Sequence, residues 1–142
     1  LWICGVKIEH SQGCVAHSDG DTPVHALCDA ILGALALGDI GKHFPDTSGE
    51  FKGIDSKILL RRVADLASSK GYELVNADIT IALQKPKIAT RIEEMRRTLA
   101  DVLGCSVSSI SVKATTTEKL GFVGREEGIE AWVSVLLKRV GE

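Results

Sequence analysis

The densest group of chemistry-bearing side chains falls in residues 17–29. His17, Asp19 and Asp21 precede an almost wholly apolar run, residues 24–37, which only His25 and Asp29 interrupt with charge-bearing groups. The i, i+4 spacing of these two places them on one helical face. An imidazole beside a carboxylate on a buried helix is either a satisfied structural hydrogen bond or a metal ligand with its orienting partner. Nitrogen and oxygen donors suit zinc, but one histidine with scattered carboxylates does not fix a metal.

A second group is Thr115, Thr116, Thr117 and Glu118, followed by Phe122 and Arg125. Three hydroxyls at a strand end and then a carboxylate suit phosphate oxygens and a divalent cation. The same run also reads as β-propensity spilling into a turn. Arg125 is either an anion clamp or half of a surface ion pair. The loop Asp39, Ile40, Gly41, Lys42, His43, Phe44, Pro45, Asp46, Thr47 offers close backbone approach at glycine and polar side chains around it, or is a solvated turn. Lys85, Pro86 and Lys87 form a bend that is either solvated or a phosphate rim. His10 and His43 read as surface residues. The chain contains no G-x-x-x-x-G-K-[ST] loop, no G-x-G-x-x-G and no G-x-S-x-G elbow. Nor does it show a nucleophile spacing of the Ser–His–Asp or Cys–His kind. These residues support a metal-assisted site for a phosphorylated small molecule better than acyl transfer.

Composition sets the frame in which those groups must be held. The 142 residues suit one domain, 1–142, with no linker, repeat or low-complexity tract. Lys and Arg number 17 against 19 Asp and Glu, a formal charge of −2, which argues against a nucleic-acid partner bound by bulk charge. No apolar run approaches the roughly 18 residues of a membrane span. Residues 1–50 hold seven acids and two bases, whereas residues 51–142 hold twelve acids and fifteen bases. The acid-rich N-terminal third is where divalent cations would reverse the local charge for a phosphorylated ligand. Cys4, Cys14, Cys28 and Cys105 lack C-x-x-C spacing and read as reduced, mostly buried thiols of a cytoplasmic protein.

Periodicity then supplies the elements. Residues 2–8 read as a short strand, 9–13 as a turn and 14–16 as a second extended piece. Thr22 as N-cap with Pro23 behind it starts a helix to about Leu37, expected to be buried nearly all round. Residues 39–53 read as a loop, and a second helix runs from about Ser56 to Lys70, stopped by Gly71. Val75, Ala77, Ile79, Ile81 and Leu83 alternate along a strand with one buried face. Thr90 and Glu93 form a capping box for a third helix ending at Gly104. Strands over residues 110–114 and 129–137 flank a polar loop. The expected fold is a two-layer α+β domain with a mixed β-sheet and helices on one face.

In combination these motifs resemble the 2-C-methyl-D-erythritol 2,4-cyclodiphosphate synthase family. The matching residues are His17-Ser18-Asp19-Gly20-Asp21 with His25, Asp39-Ile40-Gly41 with Phe44-Pro45-Asp46, the bend at 84–87, and residues 113–122 with Gly124-Arg125. The resemblance runs in order along essentially the whole chain. It implies conversion of 4-diphosphocytidyl-2-C-methyl-D-erythritol 2-phosphate to the cyclic diphosphate with release of CMP, the substrate's own 2-phosphate being the nucleophile. It implies zinc at His25 and magnesium or manganese at Glu118, with His17 and Thr116 as catalytic residues and Ser18 beside His17. Asp39, Ile40, Gly41, Phe44, Pro45, Asp46, Thr47 and Ser48 would hold the erythritol phosphate. Leu83, Gln84, Lys85, Pro86, Lys87, Ile88 and Ala89 with Thr115, Thr116 and Thr117 would hold the cytidine and phosphates, and Arg125 the diphosphate. Asp29 reads from its spacing as the orienter of His25. The resemblance further implies a homotrimer with sites between subunits and a central cavity for an isoprenoid diphosphate, near Phe122 and Arg125.

The family's two further zinc ligands form an Asp-x-His pair on a first strand, and no Asp-x-His occurs in these residues. That strand is expected to lie upstream of Leu1. The competing reading is a non-catalytic trimer that binds a nucleotide or an isoprenoid diphosphate. A third is a metal-dependent phosphodiesterase yielding linear products.

Overall fold

The alternation around residue 79 builds the central strand of a mixed sheet. In the computed structural model, which describes residues 1–10, 20–45 and 54–141, β3 (Tyr72–Ala82) pairs in parallel with β4 (Ile110–Thr115) and antiparallel with β5 (Glu130–Arg139). The sheet order is β4-β3-β5. Ala77, Ile79, Ile81, Ile110 and Val112 are buried on one face. On that face pack three helices, α1 (Thr22–Ala34), α3 (Ser56–Ser69) and α4 (Ile92–Leu103). The fold is therefore the expected two-layer α+β arrangement. Its core is aliphatic, with Leu27, Ile31, Leu32, Leu60, Ile79, Met95 and Leu99 all but inaccessible, each contributing roughly 1.5–3 kcal/mol by burial. The other sheet face carries Asp78, Thr80, Lys113 and Ser134, together with the exposed apolar side chains of Trp132 and Leu136.

Several local expectations change. Residues 2–8 form a two-strand hairpin, β1 (Trp2–Ile3) with β2 (Val6–Lys7), turning at Cys4 and Gly5 with φ of 52° and 76°. Two positive φ values are what a two-residue type I′ turn requires. A Cβ at Gly5 would meet Lys57 and Thr98 at 2.9 Å. Helix α1 starts one residue earlier than expected, with Asp21 rather than Thr22 as N-cap, and ends at Ala34 rather than near Leu37. It buries one face, with Gly33 and Ala34 exposed, because the sheet covers only one side of it. A four-residue helix α2 (Ile40–His43) stands inside the expected loop, and α5 (Gly121–Gly124) inside the other.

Strand β3 begins three residues early and carries a bulge between Leu74 and Asn76, so Val75 is turned outward instead of inward. Thr90 does not cap α4: a 3-10 turn (Ala89–Arg91) feeds the helix directly, with no side-chain cap. Glu93 and Glu94 in the first turn suit the positive end of the helix dipole. Gly104, at φ 67°, ends the helix as expected. Among the described residues no helix is long and apolar enough to cross a membrane. The expected extended piece at 14–16 lies outside the described residues, as do Cys14, His17, Ser18, Asp19, Asp46, Thr47 and Ser48.

Candidate active site

The group around α1 is built by backbone capping. Asp21 is fully buried, and its carboxylate accepts from the N–H groups of Cys4 (2.9 Å), Gly5 (2.6 Å) and Val24 (3.2 Å). One side chain thus ties the β1–β2 turn to the start of α1. This corrects the reading of Asp21 as a partner for a cation: its carboxylate is occupied by amide protons. Asp29 is likewise not the orienter of His25. It reaches across to Ile40 N–H at 2.9 Å and holds the start of α2, whose N-cap Asp39 accepts from Lys42 N–H at 3.0 Å. The His25 partner is instead the buried Ser56 hydroxyl at the start of α3, 2.8 Å from Nε2. His43 is not a plain surface residue, since its Nε2–H donates to the Leu37 carbonyl at 2.8 Å. Ile40, Gly41, Phe44 and Pro45 follow along α2 and its exit, at the surface or half-buried. The thiols nearby are inert: burial, reinforced by Asp21, pushes Cys4 up, and burial with Asp29 and Asp21 pushes Cys28 up.

The second group lies at the shared carboxyl end of β3 and β4. Because the two strands run in parallel, with Ala82 opposite Thr115, the loops that follow them leave the sheet side by side. Leu83 N–H donates to Thr115 O at 3.0 Å and closes the ladder. Leu83, Gln84, Pro86, Lys87, Ile88 and Ala89 from the first loop, with Ala114, Thr115 and Thr116 from the second, line one pocket of about 220 Å³. The 85–86 peptide bond at its rim is cis. Lys87 lines the pocket and brings it positive charge, and Lys85 and Lys119 are exposed on the same two loops; none of the three forms an ion pair among the described residues.

The turn beside this pocket is strained and heavily braced. Glu118 and Lys119 both have left-handed backbones, φ 53° and 65°, which costs of order 1–3 kcal/mol at each non-glycine position. Thr115 Oγ1 donates to Thr116 O (3.1 Å) and Thr117 Oγ1 to Leu120 O (2.7 Å). Thr116 Oγ1 instead accepts from Glu118 N–H at 3.2 Å, so its own proton stays available to an incoming oxygen. Lys119 N–H donates to Gln84 Oε1 at 3.1 Å. Gly124 of α5 presses on the same turn, where an added Cβ would lie 2.1 Å from the Lys119 carbonyl carbon. The Glu118 carboxylate is exposed and takes no hydrogen bond among the described residues. Beyond the turn, Phe122 is partly exposed, and Arg125 is ion-paired with Glu127 at 2.8 Å rather than left unpaired as an anion clamp.

The structure thus brings the expected cytidine and phosphate residues together in one place, with Glu118 alongside. The hydrogen bonds described for His25, Asp29 and Asp39 stay within the helical layer. Sequence reading missed Ser56, the brace at Gly124 and the occupation of Asp21. Only the last had a local signal, an acid directly before Thr-Pro.

A mixed sheet with a pocket at its parallel end, backed by this helical layer, describes the class of fold, and the chain belongs to the YgbB family, whose profile matches residues 1–138. The 2-C-methyl-D-erythritol 2,4-cyclodiphosphate synthase of Acinetobacter baumannii is 60% identical over 135 residues, covering 95% of this chain and 84% of that protein. Among solved structures, the bifunctional IspDF from Campylobacter jejuni superposes with a TM-score of 0.94 at 47% identity, over 98% of this chain and 38% of that longer one. A CDP-bound 2C-methyl-D-erythritol-2,4-cyclodiphosphate synthase gives 0.89 at 34% identity, over 97% of this chain and 89% of the other. The family resemblance read from the motifs is borne out.

Proposed function

We propose that the chain converts 4-diphosphocytidyl-2-C-methyl-D-erythritol 2-phosphate to 2-C-methyl-D-erythritol 2,4-cyclodiphosphate and CMP, a phosphorus–oxygen lyase step of non-mevalonate isoprenoid biosynthesis in the cytoplasm. The observation that carries this reading is the pocket that residues 83, 84 and 86–89 form together with residues 114–116, in a chain 60% identical to a protein of that name.

An oxygen of the substrate's 2-phosphate attacks the β-phosphorus. A P–O bond forms there, the bond from that phosphorus to the CMP oxygen breaks, and CMP leaves with the electron pair. The protein contributes position and charge rather than a nucleophile. Gln84, Lys85, Pro86, Lys87, Ile88 and Ala89 hold the cytidine end, and the Thr116 hydroxyl donates to a phosphate oxygen. Lys85, Lys87 and Lys119 offset the negative charge that gathers as the two phosphates approach. Asp39, Ile40, Gly41, Phe44 and Pro45, with Asp46, Thr47 and Ser48, hold the erythritol phosphate, and His17, with Ser18 beside it, joins Thr116 in stabilising the transition state. Arg125 serves the diphosphate or the trimer cavity, with Phe122 near it.

Glu118 fits a hard divalent cation, magnesium or manganese: its carboxylate is exposed and unengaged, and such an ion takes one or two carboxylates plus substrate phosphates. When bound, the ion neutralises diphosphate charge. A catalytic zinc takes three protein ligands, of which His25 would supply one nitrogen.

A homotrimer belongs to this reading. Trp132 and Leu136, each 56% exposed on the outer sheet face, are apolar surface that a second copy would cover. Phosphorus NMR of the reaction tests the function: the cyclic diphosphate and CMP are expected in equal amounts. Release of CMP with only linear phosphates would overturn it.

A further inference from the structure

The two loops that leave β3 and β4 are joined by one side chain. Gln84 follows β3 directly, is half-buried, and directs its Oε1 to the N–H of Lys119, 35 residues on, at 3.1 Å. Lys119 is the second of two consecutive left-handed residues, and Glu118 is the first. Other braces on this turn come from its own loop or from α5: Thr116 accepts from Glu118 N–H, and Gly124 packs against the Lys119 backbone. Gln84 is the brace that reaches it from the nucleotide side. Its carbonyl oxygen is committed to the turn, and the same residue lines the pocket.

We propose that Gln84 is a positioning residue, whose carboxamide oxygen fixes the Glu118–Lys119 turn so that the Glu118 carboxylate is held at a set place relative to the nucleotide pocket. The inference rests on the reading of Glu118 as the holder of a divalent cation. Its physical basis is the strain of the turn. Two non-glycine residues keep positive φ only while their surroundings over-determine them, and removal of the Lys119 acceptor frees the turn to relax and carries the carboxylate away. Cation affinity falls as a result, as it does when the groups that orient a ligand are removed. Nucleotide affinity falls less, because the pocket backbone is held by the β3–β4 ladder and the other lining residues stay in place.

The test uses the intact protein, manganese binding read by electron paramagnetic resonance, and CMP binding read by calorimetry. Gln84→Met keeps the length and removes the acceptor. It is expected to raise the manganese Kd about tenfold, a larger factor than the rise in the CMP Kd that follows from the place of Gln84 in the pocket lining. An unchanged manganese Kd overturns the proposal, and weakened CMP binding in its place assigns Gln84 to the nucleotide. Glu118→Gln is measured in parallel. Loss of manganese affinity in Glu118→Gln without loss in Gln84→Met overturns the role of Gln84 alone. Unchanged affinity in Glu118→Gln overturns the reading of Glu118, and this inference with it. Gln84→Glu, which keeps an acceptor oxygen, covers the case in which Gln84→Met does not fold. It is expected to keep the Lys119 amide as protected from hydrogen exchange as in the parent, and a rapidly exchanging Lys119 amide in that variant overturns the bond.

Discussion

The acids of α1 and α2 and the acid of the 116–119 turn stand in opposite situations. Asp21, Asp29 and Asp39 each accept backbone N–H groups, and what they hold is the chain itself. At the turn the roles are exchanged: hydroxyls, a carboxamide and a glycine hold the backbone, and the carboxylate of Glu118 is left over. Carboxylates are equally able to cap a helix or bind a cation. What separates the two is whether other groups have already satisfied the amides within reach. The acid count of the N-terminal third therefore overstates its capacity for cations.

The contrast is open to direct attack. Asp21→Ala strands three buried N–H groups, and a loss of about 4 kcal/mol of stability is expected, read from urea unfolding. A loss below about 1 kcal/mol would show that the amides find water instead and that Asp21 was never committed. Gly124→Ala drives a methyl group into the Lys119 backbone and is expected to cost about 2–3 kcal/mol. It should also lower turnover further than its stability loss explains, which activity measured well below the melting point would check. Asp29→Ala removes one exposed acceptor from Ile40 N–H, and about 1 kcal/mol is expected in the same unfolding experiment. The His25–Ser56 geometry should be unaltered, and a displaced His25 ring in the variant would restore Asp29 as the orienter of His25. The smallest effect is expected for Arg125→Ala. Its pair with Glu127 is exposed, so the melting temperature should not move and any loss of turnover reports contact with ligand.

What could be read from the sequence follows the range of the forces involved. The alternation through Ala77, Ile79 and Ile81 and the stops at Gly71 and Gly104 are local, and the structure repeats them. The bulge at Val75 left no mark, because an extra residue in an apolar–apolar run preserves the appearance of alternation while reversing one side chain. Helices α2 and α5 are four residues each, too short to show a period. For the site, residue types were legible and their partners were not. The i, i+4 rule placed Asp29 beside His25, yet Ser56 lies 31 residues away and Gln84 reaches 35 residues to Lys119. Such pairings depend on which strands lie together, and that is fixed by the whole core.

The parallel register of β3 and β4 has one more consequence. Neighbouring strands stand about 4.8 Å apart whatever their sequence. The loops that start at Leu83 and Thr116 inherit that interval as their origin. The sheet therefore sets the distance between the two walls of the pocket that these loops line. Side-chain changes on either loop leave that interval where it is, so the pocket is tuned by its lining and not by the spacing of its two walls.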